Sequence, residues 1–311
     1  MSEGPGVLEL PRPTPLVLRG RAFDAAHPAV MAVINLTSDS FFAGSRHPDL
    51  GSARDALARA VDDGADIIDV GGVRAGQRGA AVSPEQEIAK VLPFLGHARS
   101  RYPDVILSLD TWRAEVAQAA APVGLDLVND TWAGHDEDLL HVAVQVGAGI
   151  VVSHTGGLVP RTDPVGVSYG SDPLDVVHAV LRALRAGADT AYRAGMPRTR
   201  TLLDPTLDFG KTTQHSLQLL RHTADIVALG HPVLQALSRK DFIGESLDLP
   251  PGERLEGSLA AAAVAGWLGA TVFRTHDVLA TRRLVDMVAT IRGDRAPVLS
   301  TRGAGPPETS G

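Results

Sequence analysis

The feature that most constrains this chain is a repeated change of character. Eight short apolar runs each end in polar or charged residues, and each is followed by a longer stretch with helical periodicity. The runs are VMAVIN (30–35), ADIIDVG (65–71), VILSLD (105–110), LDLVND (125–130), GIVVSH (149–154), TLLDP (201–205), PVLQALS (232–238) and TVFRTHD (271–277). ARDALARAVDDG (53–64), PEQEIAKVLPFLGHARS (84–100) and RLEGSLAAAAVAGWLG (254–269) exemplify the helical stretches between them. Strands that alternate with helices pair in parallel, and eight such units predict a single closed (β/α)8 TIM barrel of the α/β class rather than an open sheet. At 311 residues and 44% hydrophobic content the chain can bury a core of that size.

The barrel is expected over 28–293. Residues 1–27, rich in Pro and Gly, form an N-terminal extension with a short hairpin around LVLRGRAF, and 294–311 read as a disordered tail. Both ends are expected to lie outside the core. The 29 basic and 36 acidic residues leave a net charge of −7 without a dense Lys/Arg cluster, which argues against a nucleic-acid partner. The absence of cysteine removes disulfides, thiolate metal sites and cysteine nucleophiles together, and suits a reducing cytoplasm. The N-terminus lacks the pattern of an export signal, and no run of about 18 apolar residues suggests a membrane span.

The polar ends of the runs carry the functional argument. Asn35, Asp69, Asp110, Asn129, His154, Asp204, Ser238 and the Arg274/His276 pair fall at or just past the C-terminal ends of the runs. Any one could simply cap a helix or close a turn. Eight runs out of eight ending this way instead predict a polar pocket on the barrel face where such folds build their sites. Asp110, Asn129 and Asp204 could receive the N–H donors of a flat heterocycle and pair with its carbonyl edge, because Asp only accepts while Asn both donates and accepts. Guanine-like and pterin-like ligands fit. A metal held by the carboxylates is the weaker alternative, since no His stands at ligand spacing. Ser238, Arg239 and Lys240, the segment Arg274 to Asp277, and Lys211 in DFGK place cationic donors where a phosphate or pyrophosphate would bind, unless they form a solvated rim.

Read in order, MAVINLTSDSFF, GADIIDVGG, LSLDTWRAEVAQAA, LDLVNDTWAG, LLDPTLDFGKT, PVLQALSRKDFIG, RLEGSLAAAAVAGWLGA and FRTHDV resemble the successive signatures of dihydropteroate synthase over about residues 28–292. The resemblance implies a pterin pocket formed by Asp110, Asn129, Asp204, Phe209 and Lys240. It implies a pyrophosphate end at Asn35, Arg239, Arg274 and His276, with Asn35 also on Mg²⁺, the expected cofactor. Asn35, Asp39 and Lys240 are the implied catalytic residues, Asp39 riding on the first closing loop. The implied reaction joins 6-hydroxymethyl-7,8-dihydropterin pyrophosphate to 4-aminobenzoate in folate biosynthesis, in a cytoplasmic homodimer.

The second loop departs from the family pattern Gly-Gly-Glu-Ser-Thr-Arg-Pro-Gly: here it reads Gly71, Gly72, Val73, Arg74, Ala75, Gly76, Gln77, Arg78. The Thr and Arg of the pattern have become Ala75 and Gly76, with Arg74 or Arg78 as candidate replacements. Ser38 replaces a Pro, AGS (43–45) replaces Asp-Gly-Gly, and Ser153 replaces a Met. These changes, with NDTWAG and HTGGLVPRT, look most like the second dihydropteroate-synthase-like paralogue of actinobacteria, whose synthase activity is in question. The expectation is therefore an intact pterin end and weakened or altered use of the second substrate. Two alternatives stay open: a pterin-binding paralogue with little or no condensation activity, and a corrinoid-linked methyl-transfer domain using methyltetrahydrofolate.

Overall fold

The computed structural model describes residues 12–36, 49–73, 81–162 and 167–302. An antiparallel hairpin opens it, β1 (Leu16–Leu18) and β2 (Arg21–Phe23). Eight parallel strands follow: β3 (Ala29–Asn35), β4 (Ile67–Gly71), β5 (Ile106–Asp110), β6 (Leu127–Asn129), β7 (Gly149–Val152), β8 (Thr201–Leu203), β9 (Leu234–Ala236) and β10 (Val272–Thr275). Among the described residues the α-helices are α1 (Leu50–Asp62), α2 (Pro84–Arg101), α3 (Ala114–Ala120), α4 (Leu139–Val146), α5 (Asp175–Arg193), α6 (Thr213–Arg221), α7 (Thr223–Val227), α8 (Asp241–Leu247), α9 (Leu255–Trp267) and α10 (Val278–Ile291). The strands run in the order β8-β7-β6-β5-β4-β3-β10-β9. A parallel bridge between Leu203 and Val233, with Leu203 N donating to Pro232 O at 2.9 Å, joins the two edges into a barrel. Each predicted run coincides with one of its strands to within a residue or encloses it.

Period-two alternation divides the apolar residues into two cores. Val30, Ala32 and Ile34 of β3, Ile68 and Val70 of β4, and Leu107 and Leu109 of β5 pack outward against helix faces such as Ala53, Leu57 and Ala60 of α1. Met31, Ile67, Ile106, Leu127, Val151, Leu202, Leu234 and Val272, one from each strand, point inward and fill the lower barrel. Each such side chain contributes about 1.5–3 kcal/mol on burial. Two residues further along the strands the inward positions turn polar, with Asp69 above Ile67, Ser108 above Ile106 and Asn129 above Leu127. The barrel is thus sealed by hydrocarbon below and lined with hydrogen-bonding groups above.

The opening hairpin departs from expectation. Leu16, Leu18 and Phe23 are buried in the inner core with the eight strand residues, so this segment closes the bottom of the barrel instead of lying outside it. Its two-residue turn, Arg19 at φ +49° and Gly20 at φ +74°, has the left-handed twist that tight hairpins need. Gly149 makes the docking possible: a Cβ there would stand 3.1 Å from Leu18 Cδ2 and 2.8 Å from Arg200 O. The periodicity of so short a hairpin carries no sign of whether it faces a core or water.

Candidate functional site

Strand register assembles the upper pocket. Asn35, Gly71, Asp110 and Asn129 are successive Cα partners across β3, β4, β5 and β6, so residues up to 94 positions apart in the chain form one row. A Cβ at Gly71 would lie 3.2 Å from Asn35 Oδ1 and 3.7 Å from Asp110 Cβ, so glycine leaves the space between these two polar side chains open. Below the row, Asp69 is fully buried in the middle of β4. Its Oδ1 accepts from Ser108 Oγ at 2.6 Å, and its Oδ2 accepts from Asn129 Nδ2 at 3.0 Å and from Arg274 Nε at 2.7 Å. Asn129 Oδ1 is buried and has no hydrogen-bond partner. Such an acceptor costs free energy until a donor reaches it.

Asp110 accepts from Arg274 Nη2 at 2.7 Å and from Thr131 Oγ1 at 3.3 Å. Burial pushes its carboxyl up to about 7 against the opposing pull of Arg274. Asp204, just past β8, is also buried, and burial raises its carboxyl although Thr206 N donates to Oδ1 at 2.7 Å. Lys240 stands over the Phe209 ring, Nζ 4.7 Å from the centroid, and donates to Leu207 O at 2.9 Å; burial lowers its ammonium. Phe209 meets Trp132 edge to face at 5.7 Å, and Trp132 meets Trp112 likewise at 6.5 Å. The result is an aromatic wall beside a set of carboxylate and amide acceptors, with cations at both ends: Lys240 on Phe209 and Arg113 4.6 Å over Trp112.

Backbone strain concentrates in the loops carrying these groups. Thr206, Asp208 and Arg239 all have positive φ, an unfavourable region for side chains other than glycine and most of all for β-branched Thr. Buried Lys211 holds the loop after β8, its Nζ donating to His154 O at 2.6 Å, Phe209 O at 2.8 Å and Thr206 O at 3.1 Å. Burial pulls this ammonium down to about 7, while three carbonyl acceptors call for all three of its protons. Lys211 therefore braces the segment that presents Asp204 and Phe209.

The structure brings Asp110, Asn129, Asp204 and Asn35 to the same end of the barrel, as the strand ends predict, together with Lys240 and with Phe209, which only the resemblance points to. Arg274, expected at a pyrophosphate end, pairs with Asp69 and with Asp110, a residue expected in the ring pocket. Burial, followed by the Arg274 charge, drives the His276 imidazole down to about 3, so it is neutral at pH 7. Arg239 is turned aside: Nε and Nη2 donate to the two oxygens of Asp277 at 2.9 Å, and Nη1 donates to Pro251 O and Gly252 O. These four bonds tie the guanidinium to the loop segments around Asp277 and Pro251. Asp39 and the second-loop residues Arg74, Ala75, Gly76 and Arg78 lie outside the described residues.

Sequence reading noted Asp69 without giving it a role, although a carboxylate inside the apolar run ADIIDVG two residues before Gly71 signals an inward polar position. It also missed the Trp132 wall. The sequence cue there was Asp130: its carboxylate accepts from Trp132 N at 2.9 Å and Gly134 N at 2.7 Å, a local turn that fixes the tryptophan backbone. Ser153, one of the departures, accepts from Ala133 N at 2.9 Å and ties the same loop to the end of β7.

A parallel barrel with this acceptor-lined upper pocket belongs to the class of barrels that bind a small molecule at the strand ends, and the pterin binding enzyme family model matches residues 31–276; the chain belongs to that family. It is 51% identical over 287 residues to the inactive dihydropteroate synthase 2 of Mycobacterium tuberculosis, covering 92% of this chain and 90% of that protein. It is 35% identical over 266 residues to the dihydropteroate synthase of Escherichia coli K12, covering 86% and 92%. Among solved structures, a Yersinia pestis dihydropteroate synthase in a sulfonamide drug complex superposes with a TM-score of 0.82 at 31% identity, covering 90% of this chain and 100% of that one. A Coxiella burnetii dihydropteroate synthase in complex with pteroic acid gives 0.80 at 31% identity, covering 90% and 99%. The chain is thus a member of the dihydropteroate-synthase-like transferases, similar both to proteins described as dihydropteroate synthase and to proteins described as inactive dihydropteroate synthase 2.

Proposed function

We propose that this protein binds 6-hydroxymethyl-7,8-dihydropterin pyrophosphate and condenses it with 4-aminobenzoate slowly, as a dihydropteroate synthase-type transferase with weakened second-substrate use. The observation that carries the reading is the buried, unpartnered Asn129 Oδ1 in the same pocket as the Asp110 and Asp204 carboxylates. A 2-amino-4-oxo ring brings N–H donors to such acceptors and a carbonyl that Lys240 can meet. Phe209 and Trp132 supply an apolar wall for the ring. In the reaction the bond from the pterin methylene to the diphosphate oxygen breaks with the electron pair leaving on oxygen, and the amine nitrogen forms the new C–N bond and loses a proton. The protein needs no nucleophile for this; it orients the ring and stabilises the departing anion.

Asn35, at the rim, and His276 are assigned to the diphosphate end with Arg274. Arg239 is retained there only as a brace through Asp277. Among the described residues no cluster of three or more His, Cys, Asp or Glu side chains could hold a metal. A lone hard amide oxygen nevertheless suits Mg²⁺, which is commonly bound by one or two protein oxygens together with phosphate and water. When bound it would neutralise diphosphate charge, with Asn35 as its protein ligand.

The inactive-paralogue reading, binding without condensation, is favoured by the 51% identity to proteins of that description and by Ala75 and Gly76, which can neither donate a side-chain hydrogen bond nor reach an anion. Calorimetry with the pterin pyrophosphate, with and without Mg²⁺, followed by a turnover assay with 4-aminobenzoate, separates the readings. Tight binding with slow turnover supports the proposal, and tight binding with none supports the paralogue. No binding of the ester sinks both.

A homodimer is also proposed. Ala260, Val264 and Trp267 on α9, with Leu279, Met287 and Ile291 on α10 interrupted by the exposed Arg283, place apolar side chains at helical spacing on two helices packed together. Among the described residues no helix is long and apolar enough to cross a membrane, and a cytoplasmic location is proposed on the absence of cysteine.

A further inference from the structure

The side-chain amide of Asn129 has a determined sense. A carboxylate only accepts, so the edge facing Asp69 Oδ2 at 3.0 Å is the nitrogen, and the oxygen is on the opposite edge, buried and unpartnered. Asp69 itself is held at both ends, by Ser108 Oγ on Oδ1 and by Arg274 Nε on Oδ2, and is fully buried. We propose that Asp69 is a positioning residue for ligand selectivity: it locks the Asn129 amide with its carbonyl free for the ligand, so that the pocket selects rings presenting an N–H there over rings presenting an oxygen. Without the lock, rotation about Cβ–Cγ exchanges donor for acceptor in the same volume, and either ring type is accommodated. This deepens the pterin reading and rests on it. The relevant contrast is between a pterin, with an amino group at ring position 2, and the lumazine that carries an oxygen in its place.

The test is calorimetry of 6-hydroxymethylpterin and 6-hydroxymethyllumazine against the full-length parent, Asp69→Ala and Asp69→Asn. The parent should favour the pterin by more than about tenfold, the scale of one unpaired buried polar group. Asp69→Ala should shrink that ratio by about tenfold or more while lumazine binding holds or improves. Asp69→Asn should keep the ratio, because its amide can turn its nitrogen to Ser108 Oγ and leave an oxygen on Asn129 and Arg274. An unchanged ratio in Asp69→Ala would overturn the lock. A parent that binds neither ring would overturn the pterin reading itself. If Asp69→Ala does not fold, the parent still decides: the Asn129 side-chain NH₂ signals, assigned by their loss in Asn129→Asp, should exchange with water at least about a hundredfold more slowly than exposed amides. Exchange at the exposed rate would refute the lock.

Discussion

Arg274 donates through Nη2 to Asp110 at 2.7 Å, which joins a residue of the anticipated diphosphate end to one of the pterin end. The pair is a half-buried charge contact, and its second branch reaches the fully buried Asp69. Arg274→Ala would leave the fully buried Asp69 and the half-buried Asp110 without their counter-charge and drive Asp110 further toward the neutral form. Binding of the bare pterin alcohol at pH 7.5 should weaken by about tenfold, roughly the effect of one pKa unit, and binding of the diphosphate ester should weaken more. Calorimetry with both ligands checks this. Unchanged binding of the alcohol would make the ion pair a resting contact and confine Arg274 to the anion end.

Asp110→Ala, Asn129→Ala and Asp204→Ala should each weaken pterin binding by about 1–3 kcal/mol, the cost of a lost partner for a buried polar group, while circular dichroism shows an intact barrel. Three variants that bind as tightly as the parent would move the pocket elsewhere.

Lys211→Met should destabilise the fold by about 3 kcal/mol or more, because one carbonyl after β7 and two in the strained loop after β8 lose their donor at once. Urea denaturation measures it. A loss below about 1 kcal/mol would show that water readily replaces the ammonium.

His154 lies in a buried position that pulls its imidazole from 6.5 down to about 3, through burial first and the Lys211 charge second. The unfolded chain therefore holds this proton more tightly than the folded one. Its effect is absent above about pH 7, and stability is lost as pH falls from 6.5 toward 3, with a slope approaching about 1.4 kcal/mol per pH unit. His154→Gln should make the stability profile between pH 6.5 and 4.5 shallower by up to that slope, leaving the share from His276, which is shifted the same way. Identical profiles for parent and variant, followed by denaturant titrations at each pH, would place the acid sensitivity elsewhere.

Val264→Glu with Met287→Glu should convert a dimer to a monomer in sedimentation equilibrium, since both exposed positions belong to the apolar sets of α9 and α10. A parent that is already monomeric at tens of micromolar would remove the dimer from the proposal.

The barrel and its polar end were legible because both follow from local rules. Alternating apolar runs and amphipathic stretches dictate parallel pairing, and a polar residue ending a buried strand points to the C-terminal face. Asp110, Asn129 and Asp204 could be singled out as strand-end acceptors, and Phe209 and Lys240 by motif, without coordinates.

What only the tertiary structure decided is which partner each charge takes. Arg239 and Arg274 look alike as basic residues after late strands, yet one is spent on Asp277 and two carbonyls and the other on Asp69 and Asp110. The orphaned oxygen of Asn129, the burial of the hairpin beneath the barrel and the Trp132 wall depend on closure and register across strands distant in sequence. Chain order determines the strands and their alternation through short-range sterics and hydrophobicity; hydrogen-bond partners depend on ångström-scale distances that exist only after the sheet has closed.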